Sequence, residues 1–309
     1  MNKKIRLALI FGGTSSEREV SISGAESILE ELDKSKYEIF SFDAKYDLAK
    51  IIEKKDEIDT AFVLLHGENG EDGRIQGMLD LLGIPYQCSG ILASALAMNK
   101  AMTKKIYRIN GIDTPSELSF KTFNNQIKKN IIKNIGLPVI IKPCTGGSSI
   151  SLFMIENEIE IEDACINALK ECKKAMAEEY IKGIEVTCGV IGNSLLSPLP
   201  VIEICPEPNH KFFDYEAKYK SGETKEICPA KIDPTLTEKV QAIAVKAHKA
   251  LGCKGYSRTD MIIKNNRIMV LETNTIPGMT KNSLLPLAAK TAGISFSNLL
   301  DTLIELSME

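Results

Sequence analysis

Residues 257–283, SRTDMIIKNNRIMVLETNTIPGMTKNS, decide the fold of this chain. Two short apolar runs flank a polar Lys-Asn-Asn turn at residues 264–266, which predicts a β-hairpin. Its strands carry two carboxylates and one carboxamide, at Asp260, Glu272 and Asn274. An unpaired charge between apolar runs is costly, so these side chains predict a bound cation. Oxygen ligands without His or Cys suit Mg²⁺.

The spacing of these residues makes a geometric prediction. Glu272 and Asn274 are two positions apart, so they share one face of a strand. Asp260 and Arg258 join that face only if the connecting loop has an odd number of residues or a strand contains a bulge. We predict a three-residue loop with an asparagine in the left-handed region, which asparagine tolerates.

Length and composition indicate a protein of two or three globular domains. The chain has 309 residues, 44% of them hydrophobic and 26% charged, as is typical of soluble proteins. Its net charge of −3 argues against nucleic-acid binding. No apolar run approaches the roughly 20 residues of a membrane helix, so no membrane partner is expected. The eight scattered cysteines include no CxxC pair and predict free thiols in a reducing cytoplasm.

The N-terminal third alternates apolar strands with helices. Residues 5–11 predict a strand that leads through a glycine turn into a helix over 17–32, and residues 58–65 predict a second strand ending at His66. This alternation predicts a parallel sheet with ligand loops at the carboxyl ends of its strands. Taken alone, Glu17 is explained about equally well as a helix cap, and a histidine such as His66 is more often structural.

Lysines and glycines mark the middle of the chain. Residues 95–110 predict one helix that carries Lys100, and residues 138–142 predict a strand that ends at Lys142. The loop that follows, CTGGSS at 144–149, offers mobile N–H groups and hydroxyls. A lysine beside such a loop suits phosphate binding, although a plain flexible loop is the competing interpretation.

The last third contains one long polar segment and a closing helix. Residues 206–226 form a loop of a length that is usually functional or disordered. Residues 284–306 predict a single helix. The chain lacks both GxGxxG and GxxxxGK[ST], so neither a dinucleotide fingerprint nor a Walker loop is supported.

Together these segments resemble the D-alanine–D-alanine ligases of the ATP-grasp superfamily. The resemblance covers residues 11–303 and rests on GGTSSEREVS, LHGENGEDGRIQGMLDLLGIPY, KP-x-x-x-GSS, FFDYEAKY, CPA, GCKGYSRTD and ETNTIPGMT. It implies an α/β and α+β architecture of three domains. These would be a Rossmann-like substrate domain (1–94), a central subdomain (95–182) and a C-terminal subdomain (183–309) with the metal site and a lid, the last two enclosing ATP.

The resemblance implies that the protein joins two D-alanines with ATP through an acyl phosphate, for peptidoglycan precursor synthesis. Two Mg²⁺ ions are expected, with Mn²⁺ as a possible substitute, in a cytoplasmic homodimer. Alternatives within the family are D-alanine–D-lactate and D-alanine–D-serine ligases. Two other classes are an NAD(P)-dependent oxidoreductase, suggested by the first strand and glycine turn, and a catalytically silent nucleotide-binding protein.

The resemblance also implies roles for individual residues. ATP would contact Lys100, Lys142, Glu178, Tyr180, Ile181, Glu185 and Lys218. The metal ligands would be Asp260, Glu272 and Asn274. The substrates would be bound by Glu17, His66, Arg258, Gly278 and Ser283. Glu17, Ser148 and Tyr219 would form a hydrogen-bonded set that tethers the 206–226 lid, and Tyr219 favours D-alanine over D-lactate as second substrate.

Three positions depart from the family's usual pattern. Cys88 and Ser151 stand where glycine is common, and Asn99 stands where aspartate is common before Lys100. None of these departures removes a residue that is assigned to the chemistry.

Overall fold

The structure is a computed structural model that describes residues 3–147, 151–206 and 224–309. Three β-sheets follow one another along the chain, and helices pack on each of them. The expected α/β and α+β architecture is confirmed. No helix within the described ranges is long and apolar enough to cross a membrane.

The N-terminal sheet is parallel, as predicted. Its strands are β1 (Ile5–Phe11), β2 (Tyr37–Asp43) and β3 (Thr60–Val63), in the order β2-β1-β3. Its helices are α1 (Arg18–Glu31), α2 (Leu48–Glu53) and α3 (Arg74–Leu82). Strand β2 was not predicted, since this edge strand mixes apolar and polar residues without a continuous apolar run. The carboxyl ends of β1 and β3 lead into the loops that carry Glu17 and His66.

The predicted single helix over 95–110 is wrong, because the chain forms two helices there. They are α4 (Ile91–Met98) and α5 (Lys100–Ile109). Asn99 breaks the helical path with φ −94° and ψ 88°. Its side chain accepts a hydrogen bond from the Met102 N–H at 3.2 Å and so caps α5.

The central sheet has four antiparallel strands. They are β4 (Glu117–Phe120), β5 (Val139–Pro143), β6 (Phe153–Ile155) and β7 (Ala175–Glu179), in the order β4-β7-β5-β6. Helices α6 (Asn125–Asn134) and α7 (Ile161–Glu171) cover one face of this sheet and enclose its core. Lys142 and Glu178 lie on neighbouring strands, β5 and β7.

The C-terminal sheet is also antiparallel and larger. Its strands are β8 (Ile184–Ile191), β9 (Ser197–Pro198), β10 (Ile202–Pro206), β11 (Thr224–Ile227), β12 (Tyr256–Lys264) and β13 (Arg267–Asn274). The order is β11-β10-β8-β12-β13, with β9 beside β8. Helix α8 (Pro234–Leu251) packs on one face through Val240, against Val186 and Met261. Arg258 and Asp260 alternate with those core positions, so they lie on the opposite face.

The β12–β13 hairpin has a two-residue turn, so the predicted three-residue loop is wrong. Lys264 pairs with Arg267, and both asparagines between them have positive φ, 50° and 61°. That confirms a left-handed asparagine in the turn. A two-residue turn alone would place Glu272 opposite Thr259. A bulge shifts the register between Asp260 and Met261, and this places Glu272 opposite Asp260 instead.

Two helices close the chain where one was predicted over 284–306. They are α9 (Leu284–Thr291) and α10 (Phe296–Ser307), separated at Gly293, whose φ of 83° no helix interior adopts. Leu299 and Leu300 of α10 share a core with Leu7 of β1, so the chain's end packs on its first sheet. Helices α4 and α5 share the core of the C-terminal sheet. The three domain boundaries stay a prediction.

Candidate active site

A cleft between the central and C-terminal sheets collects the residues predicted to contact ATP. Its empty volume is ≈ 940 Å³, part of it open to solvent. Every predicted ATP contact within the described residues lines it: Lys100, Lys142, Glu178, Tyr180, Ile181 and Glu185. Asp260 and Glu272 line the same cleft. The apolar walls of the cleft, which suit the flat ring of an adenine, are supplied by Ile140, Ile262 and Leu271.

Two buried lysines share one carboxylate at the back of this cleft. Lys142 Nζ lies 3.0 Å from Glu178 Oε1, and Lys104 Nζ lies 2.8 Å from Glu178 Oε2. Burial lowers the pKa of Lys104 to about 8, although Glu178 acts in the opposite direction. Burial also opposes the charge of Lys142, but Glu178 and Glu272 outweigh it and raise the pKa of that ammonium. Lys142 is therefore a charged group facing the cleft.

Lys100 lies where α5 meets the glycine-rich loop. Its Nζ donates to the Gly146 carbonyl at 2.5 Å and lies 3.6 Å from Glu272 Oε2. Its backbone N–H donates to the Cys144 carbonyl at 2.9 Å. One ammonium thus connects the loop over the cleft to the carboxylate on β13.

The acidic cluster on the C-terminal sheet is held by direct hydrogen bonds. Arg258 donates from Nε and Nη2 to the two oxygens of Asp260, both at 3.0 Å. Asn274 Nδ2 donates to Asp260 Oδ2 at 3.1 Å. Thr187, which sequence analysis missed, donates to Asp260 Oδ1 at 2.6 Å from the adjacent strand β8. No motif surrounds Thr187, so only the strand pairing could reveal it.

The oxygen atoms of this acidic cluster fit a hard cation whose remaining ligands are water and phosphate oxygens. Within the described residues, no group of three or more His, Cys, Asp or Glu side chains could hold a metal ion on its own. Asp260, Glu272 and Asn274 offer two carboxylates and one amide oxygen. Mg²⁺ characteristically takes one or two protein carboxylates and completes its shell with water and phosphate oxygens, so the residues present fit it.

A second cleft adjoins the first and collects the predicted substrate residues. It is lined by Glu17, His66, Arg258, Asn274, Gly278 and Ser283. Gly147 and Glu272 line both clefts. The two clefts therefore meet beside the carboxylate of Glu272, which lies close to Lys100.

Glycines from two different loops make room for the carboxylate of Glu17, which is 8% exposed. A Cβ atom at Gly67, in the loop after β3, would lie 2.9 Å from Glu17 Oε2. A Cβ atom at Gly147, in the glycine-rich loop, would lie at the same distance. Both approaches are closer than real Cβ atoms make, so any side chain there would displace the carboxylate.

His66 faces the second cleft as a buried imidazole. Burial lowers its pKa, and the nearby Glu17 offsets this only in part. Its Nε2 has no hydrogen-bond partner among the described residues. A buried ring nitrogen without a partner is costly, so a polar substrate group fits this position.

Glu71 also lines the second cleft, although it was not among the predicted site residues. Its oxygens accept hydrogen bonds from the N–H groups of Gly67, at 2.9 Å, and Ile276, at 3.3 Å. Burial, with a contribution from Glu17, raises its pKa to about 8. Its place in the run HGENGEDG was the only sequence signal, and several acidic residues share that run.

Ser283 lies at the N-terminus of α9 without capping it. Its Oγ accepts a hydrogen bond from the Thr280 N–H at 3.0 Å and lies 2.8 Å from Thr280 Oγ1. A Cβ atom at Gly278 would lie 3.0 Å from Ser283 Oγ. The open helix N-terminus and the nearby backbone form a site suited to a carboxylate.

Three predicted residues, Ser148, Lys218 and Tyr219, lie outside the described residues. The hydrogen-bonded set that would tether the lid therefore stays a prediction. Glu226, the last residue of the predicted 206–226 loop, lies instead on strand β11 and lines the second cleft.

An N-terminal parallel sheet followed by two antiparallel sheets that enclose a lysine-lined cleft defines an ATP-grasp protein. Comparison with known proteins identifies the family within this class. Residues 116–305 match the family described as D-ala D-ala ligase C-terminus, and residues 6–49 and 41–89 match D-ala D-ala ligase N-terminus. The chain belongs to the D-alanine–D-alanine ligase family, which confirms the resemblance.

Individual relatives agree over the whole chain. A D-alanine–D-alanine ligase of Syntrophobacter fumaroxidans is 48% identical over 307 residues, covering 99% of both chains. One of Desulfotalea psychrophila is 48% identical over 310 residues, covering 99% of this chain and 96% of the relative.

Solved structures show the same fold. The D-alanine–D-alanine ligase of Bacillus anthracis complexed with ATP has a TM-score of 0.85 and 36% identity, covering 98% of this chain and 97% of that one. The VanG D-Ala:D-Ser ligase of Enterococcus faecalis has a TM-score of 0.87 and 33% identity, covering 99% and 100%.

Proposed function

We propose that this protein joins two D-alanine molecules into D-alanyl-D-alanine at the expense of ATP. One observation carries the proposal: a lysine-lined cleft and a second cleft with a recessed carboxylate meet at Gly147 and Glu272. Phosphoryl transfer to a carboxylate needs these two sites side by side, so that both reactants are held in reach of each other.

ATP occupies the cleft between the two sheets. Glu178, Tyr180 and Ile181 frame the adenine, and Glu185 accepts a hydrogen bond from a ribose hydroxyl. Lys100 and Lys142 bind the phosphates, with Lys218 reaching the transferred group from the lid. Catalysis of phosphoryl transfer consists mostly of positioning and charge neutralisation, which fixed ammonium groups provide.

Asp260, Glu272 and Asn274 would hold Mg²⁺, since their oxygens fit it. When bound, the ion neutralises phosphate charge and orients the transferred group. Two ions are proposed, with Mn²⁺ as a substitute.

The first D-alanine binds in the second cleft. Glu17 takes its ammonium group, and His66 contacts it through the ring nitrogen that has no partner among the residues that the structure describes. The D-alanine carboxylate attacks the γ-phosphorus of ATP, giving an acyl phosphate and ADP. Acyl phosphates hydrolyse in water, so the site must exclude solvent, and we assign residues 206–226 as the lid that does so.

The second D-alanine lies near Ser283 and Gly278 with its carboxylate at the start of α9. Its amine attacks the acyl carbon, and phosphate leaves. Arg258 and the Gly278 N–H stabilise the tetrahedral oxyanion, and loss of one such donor typically slows a reaction by about 10²–10³-fold.

D-alanine-dependent release of phosphate from ATP tests this function. We expect phosphate release with ATP and D-alanine, D-alanyl-D-alanine as the product by mass spectrometry, and none with L-alanine. Phosphate release without D-alanine dependence would contradict the proposal, as would a silent protein that binds ATP without turnover. Binding of NADH in a fluorescence titration would favour the oxidoreductase alternative.

The biological setting is proposed by the same reasoning. The dipeptide is a building unit of peptidoglycan, so we place the enzyme in cell-wall precursor synthesis in the cytoplasm. We propose a homodimer, which sedimentation equilibrium would test.

A further inference from the structure

We infer that Lys104 is a positioning residue of the nucleotide cleft, which acts through Glu178 to hold Lys142 ready for the phosphates of ATP. No part of the predicted ATP site includes Lys104. The inference rests on the proposed function only in taking the cleft to be an ATP site.

Lys104 does not reach the ligand itself. It is 0% exposed and absent from the lining of the cleft, whereas Lys142 and Glu178 line it. Its Nζ contacts Glu178 Oε2 at 2.8 Å and donates to Thr114 Oγ1 at 2.6 Å. Any effect of Lys104 on a bound nucleotide must therefore pass through its neighbours.

The charge balance around Glu178, which contacts both Lys104 and Lys142, differs from that of an ordinary buried ion pair. Glu178, 3% exposed, stands between two ammonium groups and gives one oxygen to each. Lys142 and Glu178 alone would be neutral, and the carboxylate could hold Lys142 with both oxygens. Lys104 occupies one oxygen, and the ammonium groups of Lys100, Lys104 and Lys142 then exceed the carboxylates of Glu178 and Glu272 by one positive charge. Burying such a charge is unfavourable unless an anion compensates it.

That surplus charge lies where an anion is expected. Lys142 faces the cleft, and its ammonium has only one Glu178 oxygen at 3.0 Å. A phosphate group arriving in the cleft supplies the missing negative charge. Lys104 thus prevents Glu178 from neutralising Lys142 before ATP binds.

The position of Lys104 also connects the two walls of the cleft. It lies on α5, one turn after Lys100, which reaches Gly146 and Glu272. Tyr107 of the same helix is bonded to Thr273 of β13, with 2.6 Å between their hydroxyl oxygens. Helix α5 is therefore fixed to the C-terminal sheet, while Lys104 binds Glu178 of the central sheet. The contact sets the position of Glu178 relative to the other wall.

Binding of ADP and of adenosine to Lys104→Met separates this role from a purely structural one. Titration calorimetry with ADP in the presence of Mg²⁺ should show affinity reduced about tenfold, whereas adenosine, which lacks phosphates, should bind within about twofold of the unaltered protein. Lys105→Met is the matched control, because Lys105 is the exposed neighbour on the same helix. Equal loss for both ligands would overturn the inference.

A double-mutant cycle shows whether the effect passes through Glu178. In a Glu178→Gln background, Lys104→Met should change ADP affinity by less than about twofold, since the carboxylate that competes for Lys142 is gone. Additive effects would mean that Lys104 acts through space and would overturn the inference. Lys104→Gln, which removes the charge and keeps a polar group beside Thr114 Oγ1, should weaken ADP binding in the same direction and serves if Lys104→Met does not fold.

Failure of the proposed function gives a different result. If the unaltered protein does not bind ADP, the ATP assignment of the cleft is wrong. If it binds ADP and Lys104→Met binds equally well, only the role of Lys104 is refuted.

Discussion

Asp260 and Glu272 are cross-strand partners in the β12–β13 hairpin, so both carboxylates lie on the face of the sheet that borders the cleft. The bulge that sets this register turns Leu271 and Glu272 toward the same side, and both line the nucleotide cleft. One extra residue in one strand thus gives the site an apolar wall and a carboxylate at adjacent positions.

Glu272→Ala should abolish turnover without unfolding the chain. Its carboxylate borders both clefts and is a proposed metal ligand. Loss of such a ligand removes several kcal/mol of charge stabilisation, or about 10³-fold in rate. D-alanine-dependent phosphate release and a thermal melt measure the two effects. Asp113→Ala is the control, since this carboxylate is exposed and pairs with Arg267 on the surface. Near-normal turnover of Glu272→Ala would remove the metal assignment.

Gly147→Ala should raise the KM for D-alanine about tenfold with little change in melting temperature. A Cβ atom there would lie 2.9 Å from Glu17 Oε2. The carboxylate must then move away from the position of the ammonium that we propose it binds. Gly90→Ala is the matched control, because its nearest neighbour, Tyr86 Oη, would lie 3.6 Å away. An unchanged KM for D-alanine would show that Glu17 does not bind substrate in this position.

The second substrate should be D-alanine rather than D-lactate. The prediction depends on Tyr219, since a tyrosine at this place in the family accompanies dipeptide formation and a phenylalanine accompanies ester formation. Competition between D-alanine and D-lactate at neutral pH, with the products separated by mass, measures the preference. Predominant ester formation would refute it. Tyr219→Phe should increase the share of ester.

The free energy of unfolding should fall on acidification because of a histidine that lines neither cleft. His248 is buried, with its Nδ1 at 2.8 Å from Ser257 Oγ, and burial lowers its pKa to about 4 from 6.5. The unfolded chain therefore binds this proton more readily, so stability is lost as pH falls from 6.5 towards 4. The loss is at most about 3 kcal/mol.

Melting temperature against pH measures this contribution. The unaltered protein should lose several degrees between pH 6.5 and pH 4 that His248→Gln does not lose. Parallel curves for the two proteins would contradict the assignment to His248.

Local sequence signals predicted many of the elements. The apolar runs of β1 and β3, Lys142 near the end of its strand, and the carboxylates of the hairpin were each readable from spacing, because a strand or helix imposes its own period on the chain. The spacing also showed that Asp260 and Glu272 could share a face only with an odd loop or a bulge.

The sequence by itself determined which residue types stand at the ends of which strands, and the family to which the chain belongs. Only the tertiary structure decided between loop and bulge, placed Thr187 beside Asp260 and Glu71 in the second cleft, and joined Lys104 to Glu178. The reason is physical: periodicity is a local property of the chain, whereas a hydrogen bond or ion pair between residues some 70 positions apart forms only when packing brings their elements together.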